Sequence, residues 1–240
     1  MSRFTYTFKR YEKKYLLTEI QRRELMCRLR ERLQPDEYGE SLICNLYYDT
    51  PDYRLIRRSL DKPIYKEKLR VRCYNLPQSD STAFIEIKKK FNGIVYKRRM
   101  DCTYHGAVDY LSGRDSAPPG QIKNELDWFI HSYPGLAPTV ALFYTRTAWF
   151  DRDNPNIRIT FDSDVLWRAD DLDLTLGAYG TPLLRPEEGL MEIKIPAAMP
   201  VWLARTLSET GCFPVSFSKY GTAFTQMNQK QPIFGGKSYA

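Results

Sequence analysis

Residues 64–74 read IYKEKLRVRCY, and a positive charge falls on every second position: Lys66, Lys68, Arg70 and Arg72. Residues 84–90, FIEIKKK, set Glu86, Lys88 and Lys90 on one side and Ile85 and Ile87 on the other. Residues 190–195, LMEIKI, do the same with Glu192 and Lys194 against Met191 and Ile193. Side chains on a strand alternate between its two faces, so each segment offers one charged face and one more apolar face. Like charges two residues apart repel, and they are costly beside other basic strands unless counter-charge lies between them. Such strands point to a surface organised around a polyanion.

A chain of 240 residues with 42% hydrophobic and 14% aromatic content fits a globular protein and is expected to form one domain. Its charge is unevenly spread. Residues 1–100 hold 24 Lys/Arg against 13 Asp/Glu, and residues 101–240 hold 12 against 16. A basic first part calls for an anionic partner such as phosphate, nucleotide, nucleic acid or lipid head group. Cys27, Cys44, Cys73, Cys102 and Cys212 are dispersed without a CxxC pair, and His105 and His131 are the only histidines, so no zinc-ligand spacing occurs. The first residues lack an apolar stretch of signal-peptide length, and no run of about 18 apolar residues predicts a transmembrane helix. A cytoplasmic setting is the expectation.

The pattern predicts a first strand over 10–17. A helix follows to about Leu33, opened by a Thr18/Gln21 capping box and stopped by Pro35. A strand over 41–49 precedes a short helix to about Leu60, with Thr50 as N-cap and Pro51 in its first position. Asn92-Gly93 between two alternating runs is a hairpin signal. Residues 104–138 read as helical with Pro/Gly breaks around Ser116, Ala117, Pro118, Pro119 and Gly120. Strands over 140–151, 156–167 and 187–195 follow, then helices from Pro200 to about Thr210 and from Ser218. The whole reads as an α+β domain, a closed or nearly closed antiparallel β-barrel with flanking helices.

For one strand, a solvated basic face is the plainer explanation. Charged faces recur, however, around Glu12/Lys14, Arg70/Arg72, Glu86/Lys88, Lys97/Arg99, Arg146, Arg158 and Glu192/Lys194. If these faces line a barrel, its lumen is a basic tunnel with a few carboxylates. Arginine gives phosphate oxygens planar bidentate donors and lysine gives point charge. Carboxylates among them serve as ion-pair partners or as ligands for a divalent cation. Phosphoryl transfer needs mainly positioning, charge neutralisation and a metal.

The ordered strings R-Y-E-K-K-Y, Y-Y-D-T, K-L-R-V-R, I-E-I-K, Y-K-R-R, F-Y-T-R-T-A-W, I-R-I-T-F-D, L-M-E-I-K and S-F-S-K-Y resemble the VTC domain, from about Phe8 to Thr225. This is the polyphosphate-polymerase domain of the vacuolar transporter chaperone, within the CYTH-like or triphosphate tunnel metalloenzyme superfamily. The resemblance implies a barrel enclosing a tunnel and a single domain over 1–240, with a core of about 8–225 and a tail of about 230–240. It implies that Lys14, Arg70, Arg72, Lys88, Lys97, Arg146, Arg158 and Lys219 hold phosphates, with Lys194 and Ser218 beside them. It also implies that Glu192 holds Mn²⁺ or Mg²⁺, while Glu12 serves as a second ligand or as an ion-pair partner.

Glu86 reads as an ion-pair partner, Lys66 and Lys68 as lying at the tunnel mouth, and Lys13, Lys89, Lys90 and Arg98 as solvated. His105 and His131 read as surface or packing residues. Arg10 stands where the superfamily's phosphatase branches carry the first glutamate of E-x-E-x-K, which favours the VTC-like branch. The implied activity is transfer of the γ-phosphate of ATP to inorganic polyphosphate. The alternatives are a triphosphatase or polyphosphatase of the same fold, and a non-catalytic polyphosphate- or nucleotide-binding module. A nucleic-acid partner is not expected, because Leu69, Val71, Ile85 and Ile87, not aromatic residues, alternate with the charges.

Overall fold

The computed structural model describes residues 11–114 and 119–230. The alternating segments form strands β1 (Tyr11–Thr18), β2 (Leu33–Asp49), β3 (Tyr65–Tyr74), β4 (Thr82–Phe91), β5 (Ile94–Thr103), β6 (Ala137–Asp151), β7 (Arg158–Arg168), β8 (Thr181–Pro182) and β9 (Glu188–Ile195). The helices are α1 (Glu19–Leu29), α2 (Arg54–Leu60), α3 (Tyr104–Leu111), α4 (Gln121–Ser132), α5 (Val201–Glu209) and α6 (Lys219–Lys230). The strands make one antiparallel sheet in the order β1-β9-β7-β6-β2-β3-β4-β5, with β8 against β7. The β4–β5 hairpin turns at Asn92 and Gly93, whose φ values of 45° and 82° are those a tight primed turn requires. Arg10 and the break expected at Ser116, Ala117 and Pro118 lie outside the described residues.

Two expectations moved. The Thr18/Gln21 capping box is present, but α1 stops at Leu29 and β2 begins at Leu33, where a short helix end was expected. The long β6–β7 hairpin offers residues 33–35 an edge: Leu33 pairs with Asp151 and Pro35 with Trp149. Pro35 is tolerated because the register breaks between it and Glu40. Likewise α2 begins at Arg54, because the buried Asp49 carboxylate takes over the capping role. It accepts from the amides of Thr50, Leu55 and Ile56 and from the Tyr220 hydroxyl, while Thr50 Oγ1 accepts from the Arg54 amide.

The apolar faces of the strands point outward and helices cover them. Leu46, Val71, Ile85 and Ile87 pack with Ala107 of α3 and with Leu126 and Phe129 of α4. Tyr15, Leu17, Ile159 and Ile193 pack with Leu25 and Leu29 of α1 and with Leu203 and Leu207 of α5. Strand alternation therefore sends the charged positions to the other, concave face. One end of that face is filled by α6, whose Tyr220, Ala223, Phe224 and Met227 pack on Tyr47, Val140, Leu142 and Trp167.

The sheet curls almost into a circle. Lys88 of β4 meets Glu12 of β1 at 3.0 Å, although β1 is one edge of the sheet and β4 lies next to the other. The closed barrel considered from sequence is not completed by hydrogen bonds: among the described residues no ladder joins β1 to β5. Instead the segment before α6 docks on the free edge of β1, where the Val215 amide donates to the Lys14 carbonyl at 2.7 Å.

Candidate functional site

Strand register places Arg70 opposite Glu86 and Glu86 opposite Arg99, so one carboxylate sits between two basic strands. Glu86 is 1% exposed. Its Oε2 accepts from Arg70 Nη2 at 2.7 Å and Nε at 2.9 Å, and its Oε1 accepts from Arg99 Nε at 2.8 Å and pairs with Lys97 Nζ at 2.6 Å. Arg72 Nε lies 4.0 Å away. Burial alone would raise the Glu86 pKa, but Arg70, Arg72 and Lys97 outweigh it and hold the carboxyl far below its usual range. This is the ion-pair role expected for Glu86. Lys97 is pushed down to about 8 by burial, against the pull of Glu86.

A second buried carboxylate, Asp162 of β7, accepts from Arg146 Nε at 2.6 Å and Nη2 at 2.8 Å and also pairs with Lys219 of α6. Arg72 links the two clusters, donating to Asn45 Oδ1 at 3.0 Å and to the Tyr144 hydroxyl at 3.1 Å. Burial would raise the Tyr144 phenol, yet Arg72, Arg146 and Lys219 bring it down to about 8. The remaining nitrogen of Arg70 donates to the Tyr47 hydroxyl at 3.1 Å.

Lysines occupy the space between these clusters and β1. Lys14 Nζ donates to the Phe217 carbonyl at 2.9 Å, and burial depresses it to about 8 despite the neighbouring Glu192. Lys68 Nζ donates to Ser218 Oγ at 2.9 Å, and Ser218 Oγ also accepts from the Gly221 amide in the first turn of α6. Burial, then repulsion from Lys14 and Lys88, lowers Lys68 to about 7. The first turn of α6 packs against Lys68 and leaves it half-buried, a contact that strand alternation alone does not reveal. Lys66 instead donates to the Ser59 carbonyl at 3.0 Å.

Glu192 faces the same space, 9% exposed, with Lys194 at 3.3 Å. Burial opposes its ionisation, but Lys194, Lys14, Lys88 and Arg146 hold it well below the usual carboxylate range. Of the lumenal carboxylates, Glu86 and Asp162 are saturated by strong donors and Glu12 is taken by Lys88. Glu192, with its longer contact, is the one freest to bind a cation. Among the described residues no group of three or more His, Cys, Asp or Glu side chains forms a metal cage. A hard cation held by one carboxylate and by phosphate oxygens fits this arrangement.

Lys14, Arg70, Arg72, Lys88, Lys97, Arg146, Lys194, Ser218, Lys219, Glu12 and Glu192 are thus drawn into one connected space. Arg158 stands apart, pairing with Asp36 at 2.8 Å while its guanidinium lies over Phe150. Arg98 pairs outside with Glu125, Lys89 lies over Trp128, and Lys13, Lys90, His105 and His131 are exposed. The sequence reading passed over Asp162, Asn45, Tyr47 and Tyr144. Asp162 shares the strand face of Arg158, an available signal; the neutral three look like ordinary core residues in an apolar strand.

A family model described as the VTC domain matches residues 9–228. No curated protein matches the sequence significantly. Solved structures similar in shape include a candidate adenylate cyclase of Bacillus halodurans, 14% identical, covering 97% of this chain and 96% of its own at a TM-score of 0.49. A candidate adenylate cyclase of Vibrio parahaemolyticus is 12% identical, covering 90% and 98% at a TM-score of 0.48. The PH1819 protein of Pyrococcus horikoshii is 13% identical, covering 90% and 99% at a TM-score of 0.43.

Proposed function

This chain belongs to the VTC domain family, and from that premise we propose that it is a polyphosphate polymerase acting on ATP in the cytoplasm. The observation that carries the reading is the state of the lumenal lysines. Lys14 and Lys68 are pushed down to about 8 and about 7, chiefly by burial and then by repulsion from neighbouring cations, in a space that holds few carboxylates. A stretched polyanion supplies the missing counter-charge.

In this reading Arg70, Arg72, Lys97 and Arg146 neutralise the triphosphate, with Lys68, Lys88 and Lys219 along its length. Lys14, Lys194 and Ser218 orient the acceptor. Arg158 at the rim exchanges Asp36 for phosphate. A terminal oxygen of the polyphosphate chain attacks the γ-phosphorus, the bond to the β–γ bridging oxygen breaks, and ADP leaves with that electron pair. No general base is needed because the acceptor oxygen is already ionised, which agrees with the exposed positions of both histidines. Glu192 would hold Mn²⁺ or Mg²⁺, with Glu12 in reserve, and the cation would offset charge on the transferring phosphoryl group. The free thiols of Cys27, Cys44, Cys73, Cys102 and Cys212 suit a reducing compartment.

Incubation with ATP and Mn²⁺ tests the proposal. Polyphosphate ladders on a gel support it. Free phosphate or pyrophosphate without ladders replaces it with the hydrolase. Tight triphosphate binding without turnover across several divalent metals leaves a binding module.

A further inference from the structure

The two ends of the charged lumen are chemically unlike. At one end Lys66 stands opposite Lys90 in the β3–β4 register, and burial, then Lys90 and Lys62, lower the Lys66 pKa.

The opposite end is aromatic. Two residues beyond Arg72 on the same face of β3 stands Tyr74. Its hydroxyl accepts from Arg99 Nη2 at 3.2 Å, and its ring meets Phe84 edge-on at 5.8 Å and 79°. The Arg99 guanidinium lies 4.2 Å from the Phe84 ring centre while also gripping Glu86. Tyr74 is therefore held at its hydroxyl and at one edge, yet it remains 46% exposed. The irregular stretch of β2 between Pro35 and Glu40 carries a second aromatic, Tyr38, 73% exposed, into electrostatic reach of Tyr74. Gly39, at a φ of 57°, makes that turn.

An immobilised, half-open ring beside a guanidinium is what stacking on a nucleobase requires, and its ordering cost is already met by the fold. Two residues of strand span about 7 Å, roughly the reach of a ribose between the first phosphate and the base. We propose that the base of a nucleoside triphosphate stacks on Tyr74 at this mouth, flanked by Tyr38 and Arg99, while its phosphates extend past Arg72 into the lumen. The proposal rests on the triphosphate reading above and adds a nucleoside subsite to it. The site favours purines over pyrimidines because the larger ring covers more of the exposed face.

Calorimetric titration of the full chain with ATP and with inorganic triphosphate tests this subsite. In Tyr74→Ala, ATP should bind about fivefold more weakly or worse, the scale of losing one base–aromatic stack, with inorganic triphosphate unchanged within about twofold. Tyr74→Phe keeps the ring and should keep ATP affinity. Equal weakening of both ligands in Tyr74→Ala, or of neither, overturns the subsite while leaving the phosphate site standing. A loss in Tyr74→Phe as large as in Tyr74→Ala also overturns it, because the hydroxyl on Arg99 would then be what matters. Failure of the unaltered protein to bind either ligand removes the triphosphate reading and the subsite together.

Discussion

Glu86→Gln separates the two demands placed on the lumen. In the free protein Glu86 is the counter-charge for Arg70, Lys97 and Arg99, all within hydrogen-bonding distance, and for Arg72 at 4.0 Å. Removing one partner of a buried ion pair costs about 3–5 kcal/mol because the remaining charge stays uncompensated. Glutamine keeps an acceptor oxygen, so about 3 kcal/mol is expected, which lowers Tm by about 6–12 °C for a chain of this size. Acid cannot stand in for the substitution. The folded carboxyl lies far below its usual range, so its stabilisation is present above about pH 4 and is lost only as the pH falls through that much lower value.

The same substitution should help an incoming polyanion. At an effective dielectric of about 20, one negative charge about 6 Å from a phosphate opposes it by about 3 kcal/mol before screening, enough for a tenfold or larger gain in affinity when removed. Thermal unfolding of Glu86→Gln and of the unaltered protein, each with and without saturating inorganic triphosphate, reads both effects. The variant should melt lower alone and recover most of the difference with ligand. A variant that melts like the parent, or that gains no more from triphosphate than the parent does, refutes the view of Glu86 as stand-in counter-charge.

Lys14 and Lys68, lowered to about 8 and about 7, carry fewer protons folded than unfolded between about pH 7 and 10, so ligand-free Tm should rise across that window. Triphosphate affinity should fall over the same range, with proton uptake on binding near pH 8 visible as a buffer-dependent heat; flat pH profiles would count against crowded lumenal lysines. Glu192→Gln should reduce Mn²⁺-dependent turnover by about 100-fold or more while Tm shifts by only a few degrees, the cation's contribution being several kcal/mol; full activity would remove Glu192 from the metal role. Phe129→Ala in the outer core should cost about 3–5 kcal/mol in denaturant unfolding, and a smaller loss would mean that α4 is loosely attached.

Most strands were legible because alternation is a local property: residues 84–90 and 190–195 declare their two faces without help. The hairpin at Asn92-Gly93 and the Thr18/Gln21 box are equally local. What escaped depends on partners distant in sequence. Residues 33–35 are strand only because β6 and β7 reach them. Asp49 joins Thr50 in satisfying the first amides of α2 because the chain turns at Tyr53 with a φ of 56° before the helix starts. Lys68 is half-buried because the start of α6, some 150 positions later, packs on it. Tyr144 and Asn45 entered the site by accepting hydrogen bonds from Arg72, a role that their residue types do not advertise in an apolar strand.

The circle of strands is fastened unevenly. Neighbouring strands share ladders of main-chain hydrogen bonds, but among the described residues the junction near β1 is made by the Val215 and Phe217 contacts of Lys14 and by the part-exposed Lys88–Glu12 pair. An exposed pair of that kind contributes about 1 kcal/mol or less and weakens with salt. In mechanical terms the molecule is a split ring with a clasp. A long polymer meeting a seamless hoop must find an end and thread it. On the proposed polyphosphate reading, a clasp that yields without breaking a ladder would let the middle of a chain enter sideways, and polymer length would not limit access.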